Sequence, residues 1–367
     1  MPKNGLAKEP KLYGIENSNR KGKNFFGKNQ FNSSFPVALA CYMRDNAIKP
    51  VYLKVNQNLE VITSEISFNK VFNTELPNEK IRFDFESVYE PYTKYAYNDI
   101  TGIDLVVKDE KLNPLRALEI KLTVMPDSTT AKDTEADWGT ELVIRPASTL
   151  YCALGMFDSC KQDANRIKEI FEPVYLKIRD WTNPNEILAN LEEILNALDI
   201  FQTTYREKQQ PFLMQPIWKT LGIAPMLSEQ AFDIFIWSDF AVCRTFLDKS
   251  RSGTRMTRYV RSSARLARVL YELSNSTSMK TNTERIYTDM SFGAQTDKEF
   301  ALSGKATREY MSSPRRIKPI MNREVVTKII LNGGVKELSP ERRFDQTIYF
   351  TTADIFRDEN KSAELME

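Results

Sequence analysis

Residues 103–122 read IDLVVKDEKLNPLRALEIKL. Two apolar runs flank a centre made of charged residues, Asn113 and Pro114. Asp, Asn and Pro are the residue types that make tight connections, so the stretch predicts two β-strands folded back on each other as an antiparallel hairpin. Asp104 sits at the start of the first run, and Glu119 and Lys121 interrupt the second between Leu118 and Leu122, giving the pattern D-x14-E-x-K. Residues i and i+2 of a strand share a face, so Glu119 and Lys121 project together while Ile120 turns into the core. If the strands are neighbours, Asp104 reaches the same place.

Working outward, Ile81, Phe83 and Phe85 alternate with Arg82, Asp84 and Glu86, which predicts a strand with its charged residues on a solvated face. Residues 142–144 read as one more strand, and the four segments as one sheet. Beyond it the apolar spacing becomes helical over residues 149–171, 184–205, 229–247 and 254–273. The first 35 residues are rich in Asn, Lys, Gly and Ser and read as an irregular arm, followed by a short helix at 35–43. Residues 280–343 are basic and loop-rich, with a strand expected at 346–352. The fold class is therefore α/β (α+β): a mixed β-sheet flanked by helices, followed by a mainly helical region.

Composition removes much chemistry. The 367 residues carry 51 Lys+Arg against 49 Asp+Glu and no histidine at all. Ser-His-Asp and Cys-His hydrolases, HNH-type and phospholipase-D-type nucleases, and zinc sites built on imidazole are excluded. The 4 cysteines show no C-x-x-C spacing in a chain too long to need disulfide staples, so free thiols in a reducing cytoplasm are expected. No apolar run approaches a membrane span, and the start lacks the apolar stretch of a signal peptide.

What remains is chemistry run by carboxylates, Lys, Tyr and Cys. Two acids and an ammonium inside apolar strands cost free energy unless they have a partner, and a divalent cation is one. Asp104 and Glu119 are expected to bind Mg²⁺, with the Ile120 carbonyl and a scissile phosphate completing a hard-oxygen shell. Lys121 would position or help deprotonate the attacking water. Solvated edge-strand charges are the competing reading of the same residues. Glu65, in the amphipathic segment 63–72, is either an accessory carboxylate or the favourable acid of a helix start. Glu141, opening the strand after the hairpin, is a weaker candidate.

Arg251, Arg255, Arg258, Arg261, Arg265 and Arg268 follow one another in steps of 4, 3, 3, 4 and 3, with no acid between them. On a helix they make one stripe opposite an apolar face, an arginine ridge able to lie along phosphates or in the major groove of double-stranded DNA. Arg315 and Arg316, near Lys318, read as a loop that contacts the backbone. The arm offers Asn17, Asn19, Arg20, Lys28, Asn29 and Gln30 to base edges. This divides the chain into an arm and short helix (1–54), a catalytic core (55–180), and a helical, basic recognition and dimerisation region packed on it (181–367).

The D-x14-E-x-K arrangement resembles the PD-(D/E)-x-K nuclease superfamily, with Gly102-Ile103 standing where a proline usually precedes the aspartate. More narrowly, LYGIENSNR (12–20), GKNQFNSSFP (27–36), GIDL (102–105) and LEIKLT (118–123) resemble the HindVP/HgiDI group of type II restriction endonucleases. The resemblance implies cleavage of a short palindrome, GRCGYC in that group, and a companion methyltransferase acting on the same site. A palindrome is read most simply by a twofold homodimer. A structure-selective repair or recombination nuclease and a non-catalytic DNA-binding protein are the competing functions.

Overall fold

The computed structural model describes residues 51–119, 146–210, 240–251 and 254–292, scattered positions between 11 and 49, and short strands within 124–125, 219–233 and 316–317. The architecture is α+β. After a short antiparallel pair, Lys11–Leu12 with Ile15–Glu16, comes a hairpin, β1 (Val51–Val55) and β2 (Val61–Glu65), paired from Val51↔Glu65 to Val55↔Val61. Asn56 closes the turn by accepting, through its side-chain oxygen, hydrogen bonds from the Asn58 and Glu60 amides at 2.9 Å, while Leu59 takes a φ of 62°. The Gln209 carboxamide caps the end of β1: Val55 N donates to its Oε1 at 2.7 Å, and its Nε2 donates back to Val55 O at 2.9 Å.

Helix α1 (Phe68–Phe72) starts where the Ser67 side chain accepts from Asn69 N, and stops at Asn73 in the left-handed region. The main sheet follows, with β3 (Arg82–Ser87), β4 (Ile103–Lys108) and β5 (Pro114–Leu118) as an antiparallel meander. The expected hairpin is present, its turn fixed by Asn113 N donating to Asp109 Oδ1 at 2.8 Å and by a positive φ of 70° at Leu112. A two-residue strand, β6 (Arg316–Ile317), pairs with β3 to give the order β6-β3-β4-β5. Among the described residues this sheet is antiparallel throughout, whereas a mixed sheet was expected. The anticipated fourth strand at 142–144 lies outside the described residues.

Helices make up most of the rest. The segment expected at 149–171 is two helices, α2 (Pro146–Cys160) and α3 (Ala164–Lys177), separated by the 3₁₀ turn Lys161–Asp163. The next is likewise two, α4 (Pro184–Ala189), capped by the Asn183 side chain, and α5 (Leu191–Tyr205). Phe240–Ser250 forms α6, shorter than expected because Phe232–Asp233 is a strand paired with Val124–Met125. Helix α7 (Arg258–Asn275) begins at the Thr257 cap, and α8 (Thr283–Asp289) at the Asn282 cap.

The layers explain why β4 reads as an almost unbroken apolar run: it is covered on both faces. Phe83, Leu105 and Leu118 lie on one side, where the Phe72 ring of α1 meets Phe83 edge-on at 5.6 Å. On the other side Val106 and Ala117 join one large apolar cluster with Leu150, Tyr151, Phe157, Phe201, Phe246 and Leu270. Helix α7 runs through the middle of that cluster and touches α2, α3, α5 and α6.

Candidate active site

The β4–β5 register pairs Leu105 with Leu118 and Val106 with Ala117. Carried one residue further, it sets Asp104 opposite Glu119. Directly opposed residues of an antiparallel pair have Cβ atoms about 5 Å apart and share a face. Asp104 is partly buried and Glu119 is 4% exposed. Both lie on the face covered by the helices. Ser148, in the first turn of α2, donates from Oγ to Glu119 Oε1 at 2.8 Å and is itself buried. Three residues on, the Tyr151 hydroxyl accepts from Tyr89 N at 3.2 Å and donates to Thr101 O at 3.0 Å, just ahead of Asp104. Burial pushes the Tyr151 hydroxyl well above the ordinary phenol range, so it stays neutral and serves as both donor and acceptor.

The same face carries an ion pair absent from the sequence reading. Asp84 stands opposite Val106, and Lys108 follows Asp104 and Val106 at strand spacing. Lys108 Nζ lies 3.0 Å from Asp84 Oδ2. Asp84, expected on a solvated face, is 2% exposed, because the helices cover the side of β3 that alternation alone assigns to water.

Ile120, Lys121, Glu141 and Arg315 lie outside the described residues, as does the side chain of Arg258. Glu65 ends β2 rather than opening a helix, and the helix cap is Ser67. Its side chain is well exposed and held 3.0 Å from Lys49 Nζ. Arg316 belongs to β6 and pairs through its backbone with Asp84.

The arginine stripe departs most from expectation. Arg261, Arg265 and Arg268 are 5%, 2% and 4% exposed, so this part of the stripe packs inward and is no solvent-facing ridge. A helix with neighbours on several sides has no wide wet face to offer. Arg268 bridges Glu272 at 3.0 Å and Asp289 at 2.7 Å, with its guanidinium 5.7 Å from the Trp181 ring centroid. Arg265 Nη2 donates to Met290 O at 2.6 Å. The acids missing between residues 251 and 268 are supplied by the next turn of the same helix and by α8. Arg251 and Arg255 are exposed, Arg251 paired with Asp199 and Asp248.

Ser148 and Tyr151 are the residues at this site that sequence reasoning missed. Residues i and i+3 share a helix face, but nothing in the local sequence names partners 29 and 50 positions away.

The comparisons with known proteins agree over nearly the whole chain. A family described as HindVP restriction endonuclease matches residues 26–356. The type II restriction enzyme HgiDI of Herpetosiphon aurantiacus is 37% identical over 349 residues, 94% of this chain and 96% of that protein. The probable type II restriction enzyme HindVP of Haemophilus influenzae is 35% identical over 354 residues, 95% and 96% of the two chains. No solved structure matches.

Proposed function

Since the chain belongs to the HindVP restriction endonuclease family, we propose that it is a type II restriction endonuclease that hydrolyses phosphodiester bonds of double-stranded DNA at a short palindrome, with Mg²⁺, on a PD-(D/E)-x-K core. The observation that supports the reading is the β4–β5 register, which, continued one residue past Leu105↔Leu118, sets Asp104 opposite Glu119 on a face roofed by α2. GRCGYC is the site suggested by the family resemblance.

The donor set fits a hard divalent cation. Two carboxylates approach from adjacent strands, and the Ser148 hydroxyl donates to Glu119 Oε1. Among the described residues no three Asp, Glu or Cys side chains form a group able to hold a metal alone. The Ile120 carbonyl, water and phosphate oxygens would complete the shell. When bound, the ion supplies charge neutralisation and a more acidic water. Asp104 and Glu119 hold the ion's position, while Lys121 orients the attacking water and offsets charge on the phosphate. Burial of the face limits bulk water at the reacting bond.

Arg251, Arg255 and Arg258, with Arg315 and Arg316, are the remaining proposed DNA contacts. A homodimer supplies one site per strand of the palindrome, and a companion methyltransferase protects the same sequence. Among the described residues no helix is long and apolar enough to cross a membrane; the location proposed, from the family, is the cytoplasm.

The test is digestion of a large defined DNA by wild type and Lys121→Ala, with Mg²⁺ and with EDTA, followed by sequencing of the ends. Discrete Mg²⁺-dependent fragments ending at one palindrome, and none from Lys121→Ala, are expected. Cleavage at branches or mismatches regardless of sequence would make it a structure-selective nuclease, and binding without any cut would remove the catalytic reading.

A further inference from the structure

We propose that Ser148 is a positioning residue for Glu119, and that helix α2 holds the two acid-bearing strands in fixed relation. The inference rests on the reading of Glu119 as a metal ligand given above. The Ser148 hydroxyl engages Glu119 Oε1 at 2.8 Å with both side chains buried. A hydrogen bond to one oxygen restricts the rotation of the carboxylate, and a buried hydrogen bond of this kind is costly to leave unmade. Ser148 also lies in the first turn of a 15-residue helix, where the aligned peptide dipoles favour a nearby negative charge.

The second hold comes from the same helix face. Tyr151 bonds both Tyr89 N and Thr101 O, fixing the chain as it enters β4 and so the placement of Asp104. One face of α2 thus reaches the carboxylate of one strand and the main chain leading to the carboxylate of the other. A shift of α2 would move both acids together, and loss of the Ser148 hydroxyl would remove one hold on Glu119 and leave Asp104 in place.

The experiment compares full-length wild type, Ser148→Ala, Ser148→Thr and Glu119→Gln by three measurements. They are the Mg²⁺-induced rise in unfolding midpoint without DNA, the Mg²⁺ concentration giving half-maximal cleavage, and DNA binding in EDTA. For Ser148→Ala the Mg²⁺ requirement should rise roughly 10- to 100-fold, as for other residues that orient a ligand. Its Mg²⁺-induced stabilisation should weaken in parallel, DNA binding in EDTA should be unchanged, and Ser148→Thr, which keeps the hydroxyl, should recover most of the loss. A Ser148→Ala enzyme with the wild-type Mg²⁺ dependence, beside an inactive Glu119→Gln, would overturn the positioning role and leave the metal site standing. So would a loss of rate equal at all Mg²⁺ concentrations with metal binding intact. Glu119→Gln cutting and binding Mg²⁺ as wild type would overturn the site itself.

Discussion

Lys108 Nζ lies 3.0 Å from Asp84 Oδ2 and 3.1 Å from Glu90 Oε1, bridging β3 to β4 on the face that also carries Asp104 and Glu119. Burial works against the ammonium, but its hydrogen bonds to Asp84 and Glu90 outweigh that, and its pKa stands above the ordinary lysine value of 10.5. Lys108→Met leaves Asp84 buried without this bridge and is expected to cost about 3 kcal/mol in urea unfolding. A raised folded-state pKa means that this stabilisation is complete below pH 10.5 and is lost as pH climbs through the folded value. A wild-type urea midpoint that falls no more steeply than that of Lys108→Met above pH 10.5 would show that the bridge contributes nothing.

Removing either acid should abolish turnover without abolishing recognition. Asp104→Ala and Glu119→Ala are each expected to lower the single-turnover cleavage rate about 10³-fold or more, the equivalent of about 4 kcal/mol of transition-state stabilisation. Filter binding in EDTA should show DNA affinity kept, or raised for Asp104→Ala, because a negative charge facing the phosphate is gone. Retained cleavage in either variant would remove that residue from the site.

The arginines of the stripe should divide into two classes. Arg268→Ala breaks buried pairs with Glu272 and Asp289, and a loss of about 3–5 kcal/mol is expected on thermal or urea unfolding. Arg255→Ala, at an exposed position, should leave unfolding within about 0.5 kcal/mol of wild type and reduce the salt slope of DNA binding by about one unit. Equal loss of stability in both would erase the division.

The 4 cysteines are free and buried, and burial pushes the Cys160 thiol up to about 12. Labelling with a thiol reagent at pH 8 should proceed only as fast as the protein opens, reaching 4 equivalents in denaturant. A burst of more than one equivalent in the native protein would contradict the packing of α2 and α6, where Cys152, Cys160 and Cys243 sit.

The hairpin at 103–118 was legible because its signals are local: apolar runs of strand length around a connection of Asp, Lys, Asn and Pro. Continued by one residue, its register sets Asp104 opposite Glu119. The β1–β2 hairpin carried a comparable signal, two runs rich in Val, Tyr and Ile around Asn56 and Asn58, but Thr63 to Glu65 was grouped with the helix that follows. Asp84 and the inner arginines were misread for one reason. Alternation and helical spacing assign a polar stripe to solvent, and only the assembled molecule shows what lies against that stripe. Arg268 finds Asp289 twenty-one residues away, and Asp84 finds Lys108 on the next strand. Such pairings are fixed by layer stacking and leave no periodic trace in either segment.

Gln209 touches the hairpin from 154 residues away. Its carboxamide offers Val55 one acceptor and one donor, the pair of groups that the peptide of an adjoining strand would present. A strand border with its amide and carbonyl free is a template on which a second molecule can extend the sheet, and proteins that reach high local concentrations suppress such borders. At Val55 the border is closed by a single side chain. Gln209, four residues past the end of α5, therefore occupies the donor and the acceptor that an added strand would need at Val55, and it reaches them from a helical segment far along the chain.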